Sequence, residues 1–383
     1  MSKVVNCLGI DASNIRHGGG ITHLSQLLSH TEATFPYDRI IVWGSKSTLN
    51  EIDDQKWLIK KSHYLLEGNL LQRTLWQIFL LKKSLDANHC SALFVPGGSF
   101  YSTFEPVITF HQNLLPFETS EILRFKSIKK FLRFFTLRIL QSFSFGRSNG
   151  IIFLSKISRS VVKKKVNNLP KSKIIYHGIE SRFYQVPREQ KKIEEYNLHR
   201  PFKIIYVSSI DYYKHQWNVV EAVSSLRQAG MPVSLHLYGF PNKNPMKKLL
   251  KAMRKHDKDK NYILYKGEAD FKCIHEIYRK YDMSVFASSC ETFGQIVLES
   301  MASGLPIVCS NRSSMKEIIK DGCEYFDPLS PTDIANTIRS VVTSSETRNK
   351  LALKSYSYSK DFSWEKTSES TFKFIKQIES NLS

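Results

Sequence analysis

The sequence predicts an α/β protein with two domains, each built on a parallel sheet. Its 383 residues are too many for one ordinary hydrophobic core and indicate about two domains. Short apolar segments of strand length alternate with longer stretches of helical pattern. This alternation is typical of parallel sheets that helices cover on both faces. The predicted strands are 39–44, 92–97, 204–208, 234–239, 284–287 and 306–310.

The first predicted element is a strand that leads into a glycine turn, Gly18, Gly19 and Gly20, and then a helix. Backbone without Cβ atoms can approach a phosphate closely, although a flexible loop explains three glycines equally well. The apolar residues that recur at helical spacing after the turn are Ile21, Leu24, Leu27 and Leu28.

A histidine, His111, follows the apolar strand in ITFHQNLLPFE, residues 108–118. Open α/β sheets bind their ligands at the carboxyl ends of the strands. His111 is therefore a candidate ligand contact, and a purely structural histidine is the alternative.

Residues 123–140, LRFKSIKKFLRFFTLRIL, have the pattern of an interfacial helix. On a helical projection, six apolar residues fall within about 120° of arc and four basic residues within another arc of about 100°. The alternative is a helix whose apolar face packs on the N-terminal sheet. The predicted membrane-facing residues are Arg124, Lys126, Lys129, Lys130 and Arg133.

The segment 291–309, ETFGQIVLESMASGLPIVC, carries two glutamates eight positions apart, Glu291 and Glu299. On one continuous helix they would differ by about 80° after two full turns, so a loop through Gly294 followed by a helix from Gln295 is the better prediction. The N-terminus of that helix suits a phosphate, and a carboxylate one turn later can accept hydroxyl hydrogens from a ribose. Ordinary surface acids on a solvated helix are the alternative.

With its flanking sequence, this segment resembles the retaining glycosyltransferases of family 4, which have the GT-B fold. The family pattern E-x-F-G-x-x-x-x-E-A-M-A-x-G-x-P-V is matched, with Thr292 where glycine is usual and Ser300 where alanine is usual. The resemblance covers nearly the whole chain. It implies two Rossmann-like domains whose parallel sheets face a central cleft: an acceptor-binding domain at 1–190, onto which helix 362–383 packs back, and a nucleotide-sugar-binding domain at 201–360.

The resemblance also implies roles for individual residues. Lys214 matches a lysine that clamps the donor diphosphate, whereas the usual partner arginine is replaced by Ser209. His111 and Glu291 match residues beside the transferred sugar and are the expected catalytic residues. The expected donor-binding residues are Gly19, Gly20, Ser209, Lys214, Glu291, Phe293, Gly294, Gln295, Ile296 and Glu299.

The implied activity is retaining hexosyl transfer from a nucleotide-diphosphate sugar to a lipid-linked glycan acceptor, in cell-surface polysaccharide or O-antigen synthesis. The resemblance implies no cofactor and no obligatory metal, and no D-x-D motif is placed to hold a diphosphate-bound cation. A nucleotide-sugar epimerase or hydrolase of the same fold is the main alternative. A basic nucleic-acid-binding protein is the alternative from another class, but no recognition helix, zinc site or aromatic strand supports it, so we expect no nucleic-acid partner.

Charge and cysteine content predict the location. The net charge of +20 fits an anionic membrane surface as a partner. Six cysteines lack C-x-x-C spacing, which favours a reducing compartment over a disulfide frame or a zinc site. Neither a signal peptide nor a run of the roughly 20 apolar residues that span a bilayer is found. We therefore expect a cytoplasmic protein, peripheral on the inner face of the cell membrane.

Overall fold

The structure, a computed structural model, describes residues 6–16, 18–31 and 36–382, which fold into two units. The first unit contains the described residues up to Glu118, residues Ile128–Gly178 and the chain from Ser363. The second unit contains Thr119–Ser127 and Ile179–Phe362. Strands and helices are numbered in chain order.

The first unit is built on a seven-stranded, fully parallel sheet. Its strands are β1 Cys7–Asp11, β2 Arg39–Trp43, β3 Leu58–Lys61, β4 Cys90–Val95, β5 Val107–His111, β6 Gly150–Phe153 and β7 Lys171–Ile174. They lie in the order β3-β2-β1-β4-β5-β6-β7, and all neighbours pair in parallel. β1, β5 and β6 are buried along their whole length, as expected where helices cover both faces.

Helices flank this sheet, and the last of them comes from the end of the chain. They are α1 Gly19–Ser29, α2 Lys46–Leu49, α3 Tyr64–Glu67, α4 Leu70–Leu75, α5 Leu81–Ala87, α7 Ile128–Arg147, α8 Lys156–Lys163 and α16 Trp364–Ser380. A π-helical stretch, Trp76–Leu80, joins α4 to α5.

Helix α16 is anchored on the first unit by hydrogen bonds as well as by packing. The Ser368 hydroxyl donates to the Leu27 carbonyl at 3.0 Å, and the Thr367 hydroxyl donates to the Tyr176 carbonyl at 2.8 Å. α16 also contacts α1, β4 and β6. A Cβ atom on Gly150 would lie 3.0 Å from Ile378, so glycine allows the close contact with β6.

The second unit is built on a six-stranded, fully parallel sheet. Its strands are β8 Phe202–Val207, β9 Val233–Tyr238, β10 Ile263–Tyr265, β11 Met283–Phe286, β12 Ile307–Ser310 and β13 Glu324–Phe326. They lie in the order β10-β9-β8-β11-β12-β13. Its helices are α6 Thr119–Leu123, α9 Gln216–Gln228, α10 Lys243–His256, α11 Ile274–Tyr278, α12 Gln295–Ala302, α13 Met315–Ile318, α14 Pro331–Val342 and α15 Ser345–Ser359.

The predicted class is confirmed: both units are α/β with parallel sheets, and the six predicted strands correspond to β2, β4, β8, β9, β11 and β12. The division of the chain differs from the predicted ranges 1–190 and 201–360. The break lies at Gly178–Ile179, and residues 119–127 group with the second unit.

The prediction of one helix over residues 123–140 is wrong at its start. α6 ends at Leu123, and α7 begins only at Ile128. Between them Lys126 has φ of 47°, a left-handed conformation that cannot continue a right-handed helix. Arg124 and Lys126 therefore do not lie on α7 and are not part of its basic face.

Gly304 ends α12, the helix that carries Glu299, and its replacement tests the local packing. Its φ is 64°, and a Cβ atom there would lie 2.5 Å from the Gln185 carbonyl oxygen. We expect Gly304→Ala to lower the free energy of unfolding by about 2–4 kcal/mol, because left-handed strain adds to a clash with backbone.

The matched control is Gly230→Ala, at a position with φ of 84° and open space around the added methyl group. It isolates the conformational cost, about 1 kcal/mol. Urea unfolding of both variants measures the difference. Equal losses for the two would show that the contact with Gln185 does not constrain the chain.

Candidate functional site

The predicted donor residues of the second unit lie in the loops after β8 and β11 and in helix α12, beside the loop after β12. These strands are adjacent in the sheet, so their carboxyl-end loops meet at one edge. The loop after β8 contains Lys214, and the loop after β11 contains Glu291 and leads into α12. The loop after β12 contributes Ser313 and Ser314, which the sequence analysis did not identify.

Lys214 and Glu291 form an ion pair at this edge. Their side chains are only 9% and 16% exposed, so solvent screens the pair weakly. The Lys214 ammonium lies 5.1 Å from the ring centre of Tyr213 and 5.2 Å from that of Phe286. Asp211 begins the preceding 3₁₀ turn, Tyr212–Lys214, by accepting a hydrogen bond from the Tyr212 amide. The structure thus holds a cation and a carboxylate in fixed positions.

Two serines after β12 hold the Glu291 loop. The Glu291 amide donates to the Ser313 hydroxyl at 3.0 Å, and that hydroxyl donates to the Ser289 carbonyl at 2.9 Å. The Ser314 hydroxyl donates to the Phe293 carbonyl at 2.8 Å. Ser313 has φ of 54°, an unusual conformation for serine. Nothing in the local sequence signals these contacts, because they span more than 20 residues.

Gly294 makes the predicted transition from loop to helix. It has φ of 98°, and a Cβ atom there would lie 2.5 Å from the Met315 methyl group. α12 starts at Gln295, as predicted, with no side-chain cap and no acidic residue in its first turn. Its N-terminal end, where Gln295 and Ile296 lie, therefore keeps the positive end of the helix dipole.

Glu299 lies within α12 and is buried, at 4% exposure. The Tyr278 hydroxyl donates to its carboxylate at 3.2 Å. Burial raises the pKa of Glu299 to about 8, although the Tyr278 hydrogen bond and the charge of Arg182 oppose the shift. The alternative of a solvated surface acid is therefore wrong for Glu299, whose carboxyl group is buried and hydrogen-bonded.

Ser209 stands where the resembled family has an arginine, and the neighbouring backbone is held by a glutamine. The Gln216 amide donates to the Ser208 hydroxyl and to the Ser209 carbonyl, both at 2.9 Å. Gln216 is the first residue of α9 and was not identified from the sequence. It fixes the backbone where the family places its arginine.

In the first unit, the glycine turn and the His111 loop come together. α1 begins at Gly19, and Gly18 has φ of 66°. A Cβ atom on Gly20 would lie 3.5 Å from the Gln112 side-chain oxygen, which belongs to the residue after His111. Among the described residues, no atom lies within 4 Å of a Cβ atom added to Gly18 or Gly19.

His111 ends β5 as predicted but is 1% exposed. Its ring centre lies 5.5 Å from those of Phe117 and Phe153 and 5.8 Å from that of Phe145. Burial lowers the pKa of His111 to about 3, so the ring is neutral near pH 7. A hydrogen bond with the Asn113 backbone opposes this shift but is the smaller effect.

The buried histidines of the first unit should make its stability depend on pH. Burial also lowers the pKa of His177 to about 3 and that of His23 well below its usual value. Because the unfolded chain binds these protons near pH 6.5, stability is complete above that pH and is lost as the pH falls toward 3. Each histidine contributes up to about 1.4 kcal/mol per pH unit.

The variant His111→Phe tests this pH dependence of stability, and phenylalanine suits the position because three phenylalanines already surround the His111 ring. We expect a smaller loss of unfolding free energy between pH 7 and pH 5 than in the wild type, measured by urea unfolding. Glu299, whose pKa is raised, has the opposite pH dependence but contributes equally to both proteins. If the variant loses as much unfolding free energy between pH 7 and pH 5 as the wild type does, His111 is not a neutral, buried histidine in the folded protein.

Helix α7 contains three of the predicted membrane-facing residues, Lys129, Lys130 and Arg133. The buried residues of this helix are Gln141, Ser144 and Phe145. Four more apolar residues are half-buried, so part of its apolar surface is covered: Phe131, Phe134, Leu137 and Leu140. Lys129, Lys130 and Arg133 are exposed. An exposed apolar stripe runs beside them at helical spacing: Ile128, Leu132, Phe135, Ile139 and Phe143. Across the described ranges, no helix is both long and apolar enough to cross a bilayer.

Residues 188–358 match the family described as glycosyl transferases group 1. The O-antigen chain mannosyltransferase B of Escherichia coli is 23% identical over 233 residues, which cover 60% of this chain and 60% of that protein. A D-inositol 3-phosphate glycosyltransferase of Geodermatophilus obscurus is 32% identical over 99 residues, 25% of this chain and 21% of its own length. The matched part of this chain thus spans less than two thirds of either curated relative.

Solved structures share the fold over almost the whole chain. Sucrose-phosphate synthase from Thermosynechococcus elongatus has a TM-score of 0.77 at 13% identity, with 98% of this chain and 100% of that chain covered. HepE from Anabaena, crystallised with UDP, has a TM-score of 0.70 at 15% identity, with 97% and 100% covered. These likenesses establish the GT-B fold of two Rossmann-like domains.

Proposed function

We propose that this chain, whose residues 188–358 match the glycosyl transferases of group 1, is a member of that family. In this proposal it transfers a hexose from a nucleoside-diphosphate sugar to a glycan acceptor with retention of anomeric configuration. One observation carries the proposal. Lys214, Glu291 and the N-terminus of α12 lie on adjacent loops at the carboxyl edge of one sheet, next to the buried Glu299. This edge is where open α/β folds bind nucleotides.

The proposed mechanism follows from the charges that sugar transfer creates. Negative charge develops on the departing diphosphate, and preorganised donors that stabilise it lower the barrier. Lys214 and the first amides of α12 are the donors in this proposal. The ion pair holds the Lys214 ammonium beside Glu291 before the donor binds, and the diphosphate then competes with Glu291 for it.

The two carboxylates have separate roles in the proposal. Glu299 binds the ribose hydroxyls from its buried position in α12. Glu291 binds hydroxyls of the transferred sugar once the diphosphate takes over Lys214. His111, neutral near pH 7, orients the sugar or the acceptor. Family resemblance supports these assignments, and no cofactor or metal enters them.

The acceptor is proposed to be a lipid-linked glycan of a cell-surface polysaccharide, used at the cytoplasmic face of the membrane. Similarity to an O-antigen chain mannosyltransferase supports the glycan class. The exposed apolar stripe of α7, beside Lys129, Lys130 and Arg133, supports attachment to an anionic bilayer. Three basic residues contribute about 3 kcal/mol near such a surface, so attachment is reversible.

Vesicle sedimentation tests the attachment. We expect the protein to bind phosphatidylglycerol-containing vesicles at low salt and the double variant Leu132→Ser/Phe135→Ser to lose most of that binding, because each buried apolar side chain contributes about 1.5–3 kcal/mol. The control is Leu353→Ser, which changes a leucine that is 58% exposed in the second unit. Equal retention of all three proteins would contradict docking through α7.

Two steps test the activity itself. A thermal-shift panel of UDP-, GDP-, dTDP- and CMP-linked sugars identifies the donor class, since a ligand that binds only the folded protein raises its melting temperature. Turnover is then measured with and without a glycan acceptor, and NMR of the product determines the anomeric configuration. Donor consumption without acceptor would favour an epimerase or hydrolase, and inversion would refute retention.

A further inference from the structure

A cavity of about 540 Å³ opens on the second unit, and none of the proposed donor-binding residues lines it. Its walls come from the α6–α7 connection, the start of α9, the middle of α10 and the segment after β13. Neither Lys214 nor Glu291 lines it, although Tyr212 and His215 on its wall flank Lys214 in the sequence. We call it the cationic pocket, after Arg124, Lys126 and Lys248 on its walls.

The charge of the cationic pocket is not balanced by its own walls. No acidic side chain of the described residues lines it. Glu121 accepts a 2.7 Å hydrogen bond from Arg124 and neutralises that one cation from outside the pocket. Burial, followed by the charges of Lys126 and Arg124, lowers the pKa of Lys248, as expected where like charges converge. A bound anion would relieve this repulsion.

Aromatic contacts hold Lys248 and the segment that carries Arg124 and Lys126. The Lys248 ammonium lies 3.8 Å from the centre of the Trp217 ring, close enough for a cation–π contact. The Phe125 ring meets the Tyr212 ring edge to face at 5.1 Å, which ties the segment with Arg124 and Lys126 to the second unit. Side chains that are already positioned lose little entropy when a ligand binds.

Backbone features of the same walls favour an anion as well. Lys126 and His215 both have left-handed backbone, with φ of 47° and 51°. Such strain in non-glycine residues is concentrated at functional sites. His215 precedes the 13-residue helix α9 and gives it no side-chain cap, and its first turn has no acidic residue. The positive end of this helix dipole therefore remains beside Trp217 and Asn218 on the pocket wall.

We propose that the cationic pocket is a second anion site, distinct from the donor site, and that it binds a phosphate group carried by a soluble saccharide or by a lipid. Convergent cations and a helix N-terminus match the charge and the several acceptor oxygens of a phosphate. The proposal does not depend on sugar transfer, because binding is measured without a donor.

The test uses the full-length protein and the double variant Lys126→Gln/Lys248→Gln. The matched control is Lys247→Gln, which removes an exposed charge from the same helix without touching the pocket. Glucose 1-phosphate titrated by calorimetry probes a soluble source. Phosphatidylcholine vesicles with and without phosphatidic acid probe a lipid source by sedimentation. Circular dichroism and melting temperature check that the variants fold.

We expect the double variant to bind one of these phosphates at least about tenfold more weakly than the wild type and Lys247→Gln, because two charge-assisted contacts are lost. If the double variant loses binding of glucose 1-phosphate, the source of the phosphate is a soluble saccharide. If it loses only the binding of phosphatidic acid vesicles, the source is a lipid. Changes of less than about twofold for both probes would overturn the proposal. Loss of glucose 1-phosphate binding in Lys214→Ala would also overturn it, by placing the phosphate in the donor site. Nucleotide-sugar binding separately tests the proposed function.

Discussion

Replacing Lys214 by alanine is expected to lower kcat/KM for sugar transfer by about 10²–10³-fold, the usual effect of removing one preorganised donor from a developing negative charge. The loss should fall mainly on kcat, because the leaving diphosphate carries more charge in the transition state than in the bound donor. Steady-state kinetics with the identified donor measure it. The control is Lys280→Ala, which removes an exposed lysine of the same unit.

The ion pair allows catalysis and folding to be separated. Lys214→Ala leaves the Glu291 carboxylate, 16% exposed, without its cation and should lower the melting temperature. Adding Glu291→Ala should recover stability without restoring activity, since the orphaned charge is gone but the phosphate donor is still missing. Retention of wild-type kcat/KM in Lys214→Ala would remove this lysine from the reaction.

Replacing Glu299 by alanine is expected to lower kcat/KM about 100-fold, because a hydrogen bond to a charged group contributes about 1.5–3 kcal/mol. The control is Glu324→Ala, an exposed acid on β13. Full activity of Glu299→Ala, with an unchanged affinity for the donor nucleotide, would place Glu299 outside the site.

The raised pKa of Glu299 gives this prediction a second readout. With a pKa of about 8, its carboxyl group is largely protonated at pH 7 in the free protein. Ribose hydroxyls favour the carboxylate, so donor binding at pH 7 should release up to about one proton. Donor affinity should therefore rise with pH until Glu299 is ionised in the free protein. Calorimetry in two buffers of different ionisation enthalpy measures the release, and Glu299→Gln should abolish it.

Local features of the donor site could be predicted from the sequence. Gly294 needs a positive φ, and the small and apolar residues after Gln295 follow helical spacing, so the loop and the start of α12 are set by neighbouring residues. The parallel sheets likewise follow from apolar strands that alternate with helices. These predictions depend on short-range geometry alone.

Long-range features could not be predicted in the same way. Lys214 and Glu291 are 77 positions apart. The sequence predicted that each contacts a ligand and did not predict that they pair with each other. The grouping of 119–127 with the second unit depends on contacts such as that between Phe125 and Tyr212. The left-handed Lys126, which delays α7, has no signature, because lysine rarely takes that conformation.

The position of α16 has a consequence for how the chain is made. The second unit contains nothing beyond Phe362, whereas the first unit needs Trp364–Ser380 to cover α1 and β6. Domains usually fold in the order of their synthesis. Here the ribosome must make Trp364–Ser380 before the first unit can bury its last layer. We therefore expect the second unit to fold first, while apolar surface of the first unit is still uncovered.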